Sequence, residues 1–73
     1  MSTEEKIKLL EELMDADEGT LEIDMYLSDV EEWDSLAALS LIVEMKQRFN
    51  MIITTDVIKG FRTVRDICMV IPE

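Results

Sequence analysis

The sequence contains no histidine and a single cysteine, so it lacks most of the residues that catalytic and metal sites use. Without histidine, and with Cys68 as the only thiol, the chain cannot build a tetrahedral Cys/His zinc site or a histidine-activated nucleophile. One cysteine cannot form an internal disulfide, so nothing in the sequence indicates an oxidising compartment. Basic residues are also scarce, with 7 against 17 acidic residues and a formal net charge of -10. We therefore expect partners with basic surfaces and no binding to nucleic acid.

No apolar run is long enough to cross a bilayer, because the longest extends only from Leu36 to Val43 and Ser40 interrupts it. The N-terminal residues are acidic and no apolar block follows them, which argues against a signal peptide. We therefore expect no membrane insertion and a cytoplasmic location. Apolar residues still make up 48% of the 73 residues, too many for a disordered acidic tail. The composition predicts one small folded domain over residues 1–73.

Apolar spacing predicts an all-α fold, a small bundle of three longer helices and one short helix with a long first loop. The first helix should cover about residues 3–16, after a capping box formed by Ser2 and Glu5. Residues 17–34 then form a loop, because their alternating apolar positions have no second strand to pair with. A loop of this length needs anchors in the core. The expected anchors are Leu21, Leu27 and Val30.

The later elements have clear start and stop signals. Asp34 should cap a second helix over residues 35–49, and Asn50 should end it. A short helix over residues 55–59 precedes Gly60, and Thr63 should cap the last helix. On the second helix the predicted apolar face consists of Leu36, Leu39, Ile42, Val43, Met45 and Phe49. The predicted opposite, solvent-facing side consists of Ala37, Ser40, Glu44 and Gln47.

The acidic residues do not form a recognisable metal or catalytic site. Asp15, Asp17 and Gly19 suggest a calcium loop, but Thr20 occupies the position at which such a loop needs glycine. The other carboxylates lie in exposed, charge-rich stretches, where a solvated surface is the simpler interpretation. Cys68 lies on the apolar face of the last helix and is predicted to be a small core residue. We therefore predict no metal ligands and no catalytic residues.

The pair Asp34-Ser35 has two interpretations. An aspartate before the first turn of an amphipathic helix is most simply an N-cap. However, the hydroxyl of Ser35 at the first helical position should face solvent beside backbone N–H groups that have no helical partner. A phosphodiester attached there would have its negative charge at the positive end of the helix.

The second predicted helix resembles the helix-two signature of the acyl carrier protein family. The resemblance is carried by Asp34-Ser35-Leu36 and by Leu39, Leu41, Ile42, Met45 and Phe49. Thr63-Val64 is similar to the start of the family's last helix, and the order of helices agrees over essentially the whole chain. The resemblance implies that a phosphopantetheinyl transferase attaches 4′-phosphopantetheine to Ser35, between Asp34 and Leu36. It also implies that acyl or aminoacyl groups are carried as thioesters between loading and transferring enzymes.

The resemblance further implies a monomeric protein that is not itself an enzyme, and a partner-recognition surface on helix two. The residues assigned to that surface are Glu31, Glu32, Ala37, Ser40 and Glu44. Fatty-acid members of the family have more acidic residues along this helix, whereas here much of the negative charge precedes Ser35. The form Trp33-Asp34-Ser35 is similar to free-standing carriers of specialised pathways, such as those for modified lipids, glycans, amino acids or polyketides. Trp33 either packs the loop onto helix two or is an exposed anchor for a partner.

The alternative hypothesis is an acidic helical adaptor that binds other proteins and carries no prosthetic group. In that case Ser35 is only part of a helix cap, and the acidic residues alone recognise the partner.

Overall fold

The computed structural model describes residues 1–72, which are all-α. The helices of this part of the chain are α1 (Thr3–Leu13), α2 (Ser35–Phe49), α3 (Thr55–Lys59) and α4 (Val64–Val70). A single turn of 3-10 helix, Leu27–Asp29, lies within the long first loop. The predicted fold of three longer helices and one short helix is confirmed.

The core forms where α1 packs against both α2 and α4. Each of these three helices contributes side chains that are completely shielded from solvent. They are Leu10, Leu41, Met45, Val64 and Ile67. Burying side chains of this kind contributes about 1.5–3 kcal/mol each, so the contacts of α1 with α2 and α4 are a major source of stability.

The first helix ends earlier than predicted, at Leu13 rather than near Ala16. Asp15 adopts the left-handed conformation with φ of 56°. This reversal lets the N–H of Ala16 donate to the carbonyl of Glu11 at 2.8 Å, and the N–H of Asp15 donate to the carbonyl of Glu12 at 3.2 Å. The two bonds form a Schellman closure, which satisfies the last carbonyls of the helix and turns the chain into the loop.

Predicted side-chain caps are present at two helix starts. The Ser2 hydroxyl accepts from the N–H of Glu5 at 3.2 Å, and the Glu5 carboxylate accepts from the N–H of Ser2 at 2.9 Å. Thr63 and Asp66 form the same reciprocal arrangement at the start of α4. These bonds satisfy N–H groups that the first turn of a helix leaves free.

The capping box of α4 predicts a pH-dependent contribution to stability. The Asp66 carboxylate accepts from the N–H groups of Arg62 at 2.9 Å and Thr63 at 3.1 Å, and these bonds lower its pKa from the ordinary value of 3.8. Because the folded-state pKa is depressed, the contribution is present above the unfolded-state pKa and is lost as pH falls through the folded-state value. Asp66→Asn should therefore lower the melting temperature at neutral pH.

That difference between wild type and Asp66→Asn should shrink as pH is lowered below about 4. Thermal melts followed by circular dichroism over a pH series measure it. The exposed loop residue Asp17 provides the control, since Asp17→Asn removes the same charge without removing a capping bond. An Asp66→Asn effect that is the same at neutral and acid pH would contradict the assignment.

The long loop is held to the core as predicted, because Leu21, Leu27 and Val30 are all buried. The segment also runs beside the start of α4, where its backbone carbonyls accept from N–H groups that α4 cannot satisfy itself. These bonds join Arg65 N–H to Ile23 O (3.0 Å) and Val64 N–H to Met25 O (3.0 Å), and Leu27 N–H donates in return to Arg62 O (2.8 Å). The segment with alternating apolar residues therefore has a backbone hydrogen-bonding partner, the start of α4, that the sequence alone did not indicate.

Two charged residues of α1 are buried and hold the loop and α4 in place. The Glu11 carboxylate accepts from the N–H groups of Gly19 at 2.9 Å and Leu21 at 3.0 Å. Gly19 has φ of 89°, a backbone conformation that residues other than glycine rarely adopt. On the same helix, the Lys6 ammonium donates to the carbonyl of Cys68 at 3.2 Å. That contact places a positive charge near the C-terminal end of α4, where the helix dipole favours it.

Candidate functional site

Ser35 is the first residue of α2 and is exposed to solvent. Asp34 precedes it in an extended conformation, with φ of -133° and ψ of -173°, and its Oδ1 accepts from the N–H of Ala37 at 2.9 Å. The predicted N-cap is therefore confirmed. Because Asp34 provides the cap, the Ser35 hydroxyl is not needed to start the helix and remains accessible to a reacting partner.

The electrostatic setting of Ser35 combines a positive helix end with negative neighbours in the loop. The first turn of α2 contains no acidic residue, and its N–H groups lie at the positive end of a helix of 15 residues. An anionic group bonded to the Ser35 oxygen would be stabilised there. The preceding loop carries exposed carboxylates at Asp29, Glu31 and Asp34. This acidic approach favours partners that bring basic residues to the serine.

The buried side of α2 differs from the prediction. The helix buries Ala37, Leu41 and Met45, at intervals of four residues. Ala37 is only 4% exposed, so its assignment to the partner-recognition surface is wrong. Its small side chain lets α2 approach the core closely, whereas a larger residue there would hold the helix away.

The apolar side chains that the prediction placed in the core are partly outside it. Leu36 is 72% exposed, Leu39 is 56% exposed and Val43 is 46% exposed. Their spacing of three and four residues places them on one side of the helix. Lys46 is also exposed and continues the same spacing. We call these four residues, Leu36, Leu39, Val43 and Lys46, the exposed stripe.

Three of the other four residues assigned to partner recognition are half-buried, and the fourth, Glu31, is exposed. Ser40 and Glu44 are half-buried, and the Glu44 carboxylate pairs with the Nε of Arg48 at 3.1 Å. Glu31 is exposed and Glu32 is half-buried. Trp33 is half-buried and packs against the core, which supports the packing interpretation of this residue.

A shallow groove of about 350 Å³ lies between α2 and α3 and begins at Ser35. Its walls are formed by Ser35, Ala38, Leu39 and Ile42 of α2 and by Thr55, Ile58 and Lys59 of α3. Sequence reasoning did not find this groove. The sequence signal that could have indicated it is Ile58, an apolar residue on a predicted helix too short to bury a complete face.

The single protein thiol lies away from solvent. Cys68 is buried in α4, and burial raises the pKa of its thiol while the nearby Lys6 ammonium partly opposes that rise. A thiol that is buried and protonated reacts slowly. Within residues 1–72 the acidic and cysteine side chains form no group that could hold a metal ion. No helix in this part of the chain has the length and apolarity needed to cross a membrane.

The comparison with protein families identifies the class. The family model for the phosphopantetheine attachment site matches residues 7–71, which is most of the chain. The chain belongs to this family, and it is a carrier domain for covalently attached 4′-phosphopantetheine. This result confirms the resemblance to acyl carrier proteins. Comparisons with curated proteins and with solved structures give no significant match.

Proposed function

We propose that this protein is an acyl carrier that bears 4′-phosphopantetheine on Ser35 and passes acyl or aminoacyl groups between biosynthetic enzymes. The observation that supports the proposal best is the exposed hydroxyl of Ser35 at the start of α2, within the matched family region. We place it in the cytoplasm as a monomer, with residues 1–73 as one domain and with the chemistry done by its partner enzymes. The departures from the fatty-acid pattern favour a specialised pathway.

The attachment step uses Ser35 as a nucleophile on coenzyme A. Its Oγ forms a bond to the phosphorus that bears the pantetheine, the pyrophosphate bond breaks, and adenosine bisphosphate leaves with the former bridging oxygen. The hydroxyl proton passes to the phosphopantetheinyl transferase. The product is a phosphodiester, whose single negative charge would be favoured by the free N–H groups at the positive end of α2. The first turn of α2 itself contributes no carboxylate that would repel the new phosphate.

When attached, the group supplies a terminal thiol that holds cargo as a thioester. The chain contributes the surface next to the attachment point. The groove between α2 and α3 offers Leu39, Ile42 and Ile58 as apolar contacts beside the attachment point. Because Cys68 is buried, the protein has no exposed thiol of its own to take the cargo by exchange.

The acidic loop before Ser35 explains how partners could bind briefly. Exposed carboxylates attract basic docking faces and raise association rates, and salt screens the attraction. Individual exposed ion pairs contribute only about 0–1 kcal/mol. Contacts of this kind allow the carrier to leave each enzyme after transfer, as a shuttle must.

Thiol titration tests the proposal. Before conjugation the native protein should show only a slowly reacting thiol, because Cys68 is buried. After incubation with coenzyme A and a broad-specificity transferase, each chain should gain one rapidly reacting thiol, measured with a chromogenic disulfide reagent. Conjugation with acetyl-coenzyme A should instead leave that thiol blocked until neutral hydroxylamine releases the acetyl group, as a thioester requires.

The matched control is Cys68→Ala, which should gain the same rapidly reacting thiol although it starts with none. If conjugation adds no rapid thiol to wild type, the carrier function is wrong. If removal of Cys68 abolishes the gain, the new thiol is a protein side chain and not the arm.

A further inference from the structure

The exposed stripe of α2 changes character along its length. Its first three members, Leu36, Leu39 and Val43, are apolar, and the fourth is Lys46. The stripe begins directly after Ser35. With a rise of about 1.5 Å per residue, Lys46 lies about 16 Å along the helix from the serine.

The exposed stripe contains no acidic residue. The acidic residues are concentrated in the loop that precedes Ser35. The one acidic residue of α2, Glu44, is half-buried and paired with Arg48. Arg48 lines a depression together with α1 residues such as Glu5 and Glu12, so this ion pair belongs to the side of α2 that faces α1. The surface around Ser35 is therefore acidic at the loop, apolar in the middle and basic at the far end.

Lys46 keeps its charge available to a partner. Its ammonium donates to the side-chain oxygen of Asn50 at 3.0 Å, which is a neutral acceptor. Asn50 has the left-handed conformation that ends α2, and both residues are exposed, so this bond lies at the surface of the protein. Within the described residues the ion pairs involve Lys8, Arg48 and Arg65, and Lys46 takes part in none of them.

From this pattern, and resting on the proposed function, we infer that Lys46 selects partner enzymes. The enzymes that this carrier serves present a basic group to the acidic loop, an apolar surface to Leu36, Leu39 and Val43, and an acidic side chain to Lys46. An enzyme whose docking face is basic throughout is repelled at Lys46, and a neutral face would bury the ammonium with no opposite charge to compensate it. Lys46 thus acts mainly by excluding wrong partners.

A condensing enzyme whose carrier-docking face is basic along its whole length provides the probe. Wild type, Lys46→Glu and Lys8→Glu are first converted to the pantetheinylated form, checked by mass, and loaded with the same acyl chain. The two variants lower the net charge equally, but Lys8 is exposed on α1 and lines the depression on the side of α2 that faces α1, together with Arg48. At low salt Lys46→Glu should raise kcat/KM with this probe about fivefold, whereas Lys8→Glu should change it less than about twofold.

Further measurements make the test specific. Lys46→Gln should give an intermediate kcat/KM, and the advantage of Lys46→Glu should shrink at about 0.5 M salt. Single Lys→Glu or Arg→Glu variants of the enzyme should include one that has a higher kcat/KM with wild-type carrier than with Lys46→Glu. A double-mutant cycle measures the coupling between that enzyme residue and Lys46. Thermal melts confirm that each variant is folded.

The outcomes are distinguishable. Equal effects of Lys46→Glu and Lys8→Glu would show that only net charge matters, and no effect of Lys46→Glu would show that Lys46 does not face the partner. Either result overturns the inference while leaving the carrier function intact. Failure of wild type to become pantetheinylated would overturn the proposed function and this inference with it.

Discussion

Glu11→Ala is expected to lower the free energy of unfolding by about 2–4 kcal/mol, a large part of the stability of a small domain. The Glu11 side chain is buried and accepts from the N–H groups of Gly19 and Leu21. Removing the carboxylate leaves the buried N–H of Leu21 without a partner, and it also removes the acceptor of the more exposed N–H of Gly19. The long loop would then lose its first attachment to α1. Urea unfolding followed by circular dichroism measures the change.

Glu12 offers a matched control, because it is the next residue of the same helix and is exposed. Glu12→Ala should change the free energy of unfolding by no more than about 0.5 kcal/mol. Glu11→Gln keeps one acceptor oxygen and should lie between the two. If Glu11→Ala and Glu12→Ala are equally stable, the buried carboxylate does not anchor the loop.

Ser35→Ala should abolish conjugation with coenzyme A completely, because the variant lacks the oxygen that forms the phosphodiester. The fold should be unaffected. Asp34 provides the helix cap through its bond to Ala37, and alanine is a favourable residue at the start of a helix. We therefore expect the melting temperature to shift by only a few degrees. A fluorescent coenzyme A analogue, followed on a denaturing gel, measures the conjugation.

Ser28→Ala is the control for this prediction, since it removes an exposed hydroxyl from the preceding loop and has no assigned role in partner binding. It should be labelled as efficiently as wild type. Labelling of Ser35→Ala would mean that another residue accepts the group. Loss of labelling in Ser28→Ala as well would mean that the loss does not depend on the Ser35 hydroxyl alone.

The residues at which a helix begins and ends were predictable where one residue of a characteristic type determines that end. Asp34 and Asn50 bound α2 as expected, and α3 covers the predicted residues. Both ends of α2 depend on local chemistry. At the start, the Asp34 carboxylate accepts a hydrogen bond from the first turn, and at the end Asn50 tolerates the left-handed conformation. Asp15 closes α1 in the same way, but aspartate is also common inside and before helices, so its sequence signal is weaker.

The buried side of α2 was not predictable from periodicity. Apolar residues occupy so many of its positions that several faces have a similar apolar content. The choice depends on the fit to α1 and α4, and that fit selects the face with Ala37, Leu41 and Met45. The prediction favoured large side chains over alanine. The error matters for function, because it hid the exposed stripe and the groove.

Buried polar contacts were also beyond sequence reasoning. The Lys6 ammonium bonds to the carbonyl of Cys68, which is 62 residues away along the chain. Nothing local to Lys6 or Glu11 indicates that these charged residues are buried. The exposure of Ser35, by contrast, was predicted from its place at the first position of α2, and the structure confirms that this residue is exposed.

Mass spectrometry of the intact protein after reaction with coenzyme A and a transferase, followed by fragmentation, determines whether Ser35 carries the prosthetic group. We expect a single phosphopantetheine increment on each chain, located on Ser35. No increment on wild type, or an increment located on any other residue, would contradict it.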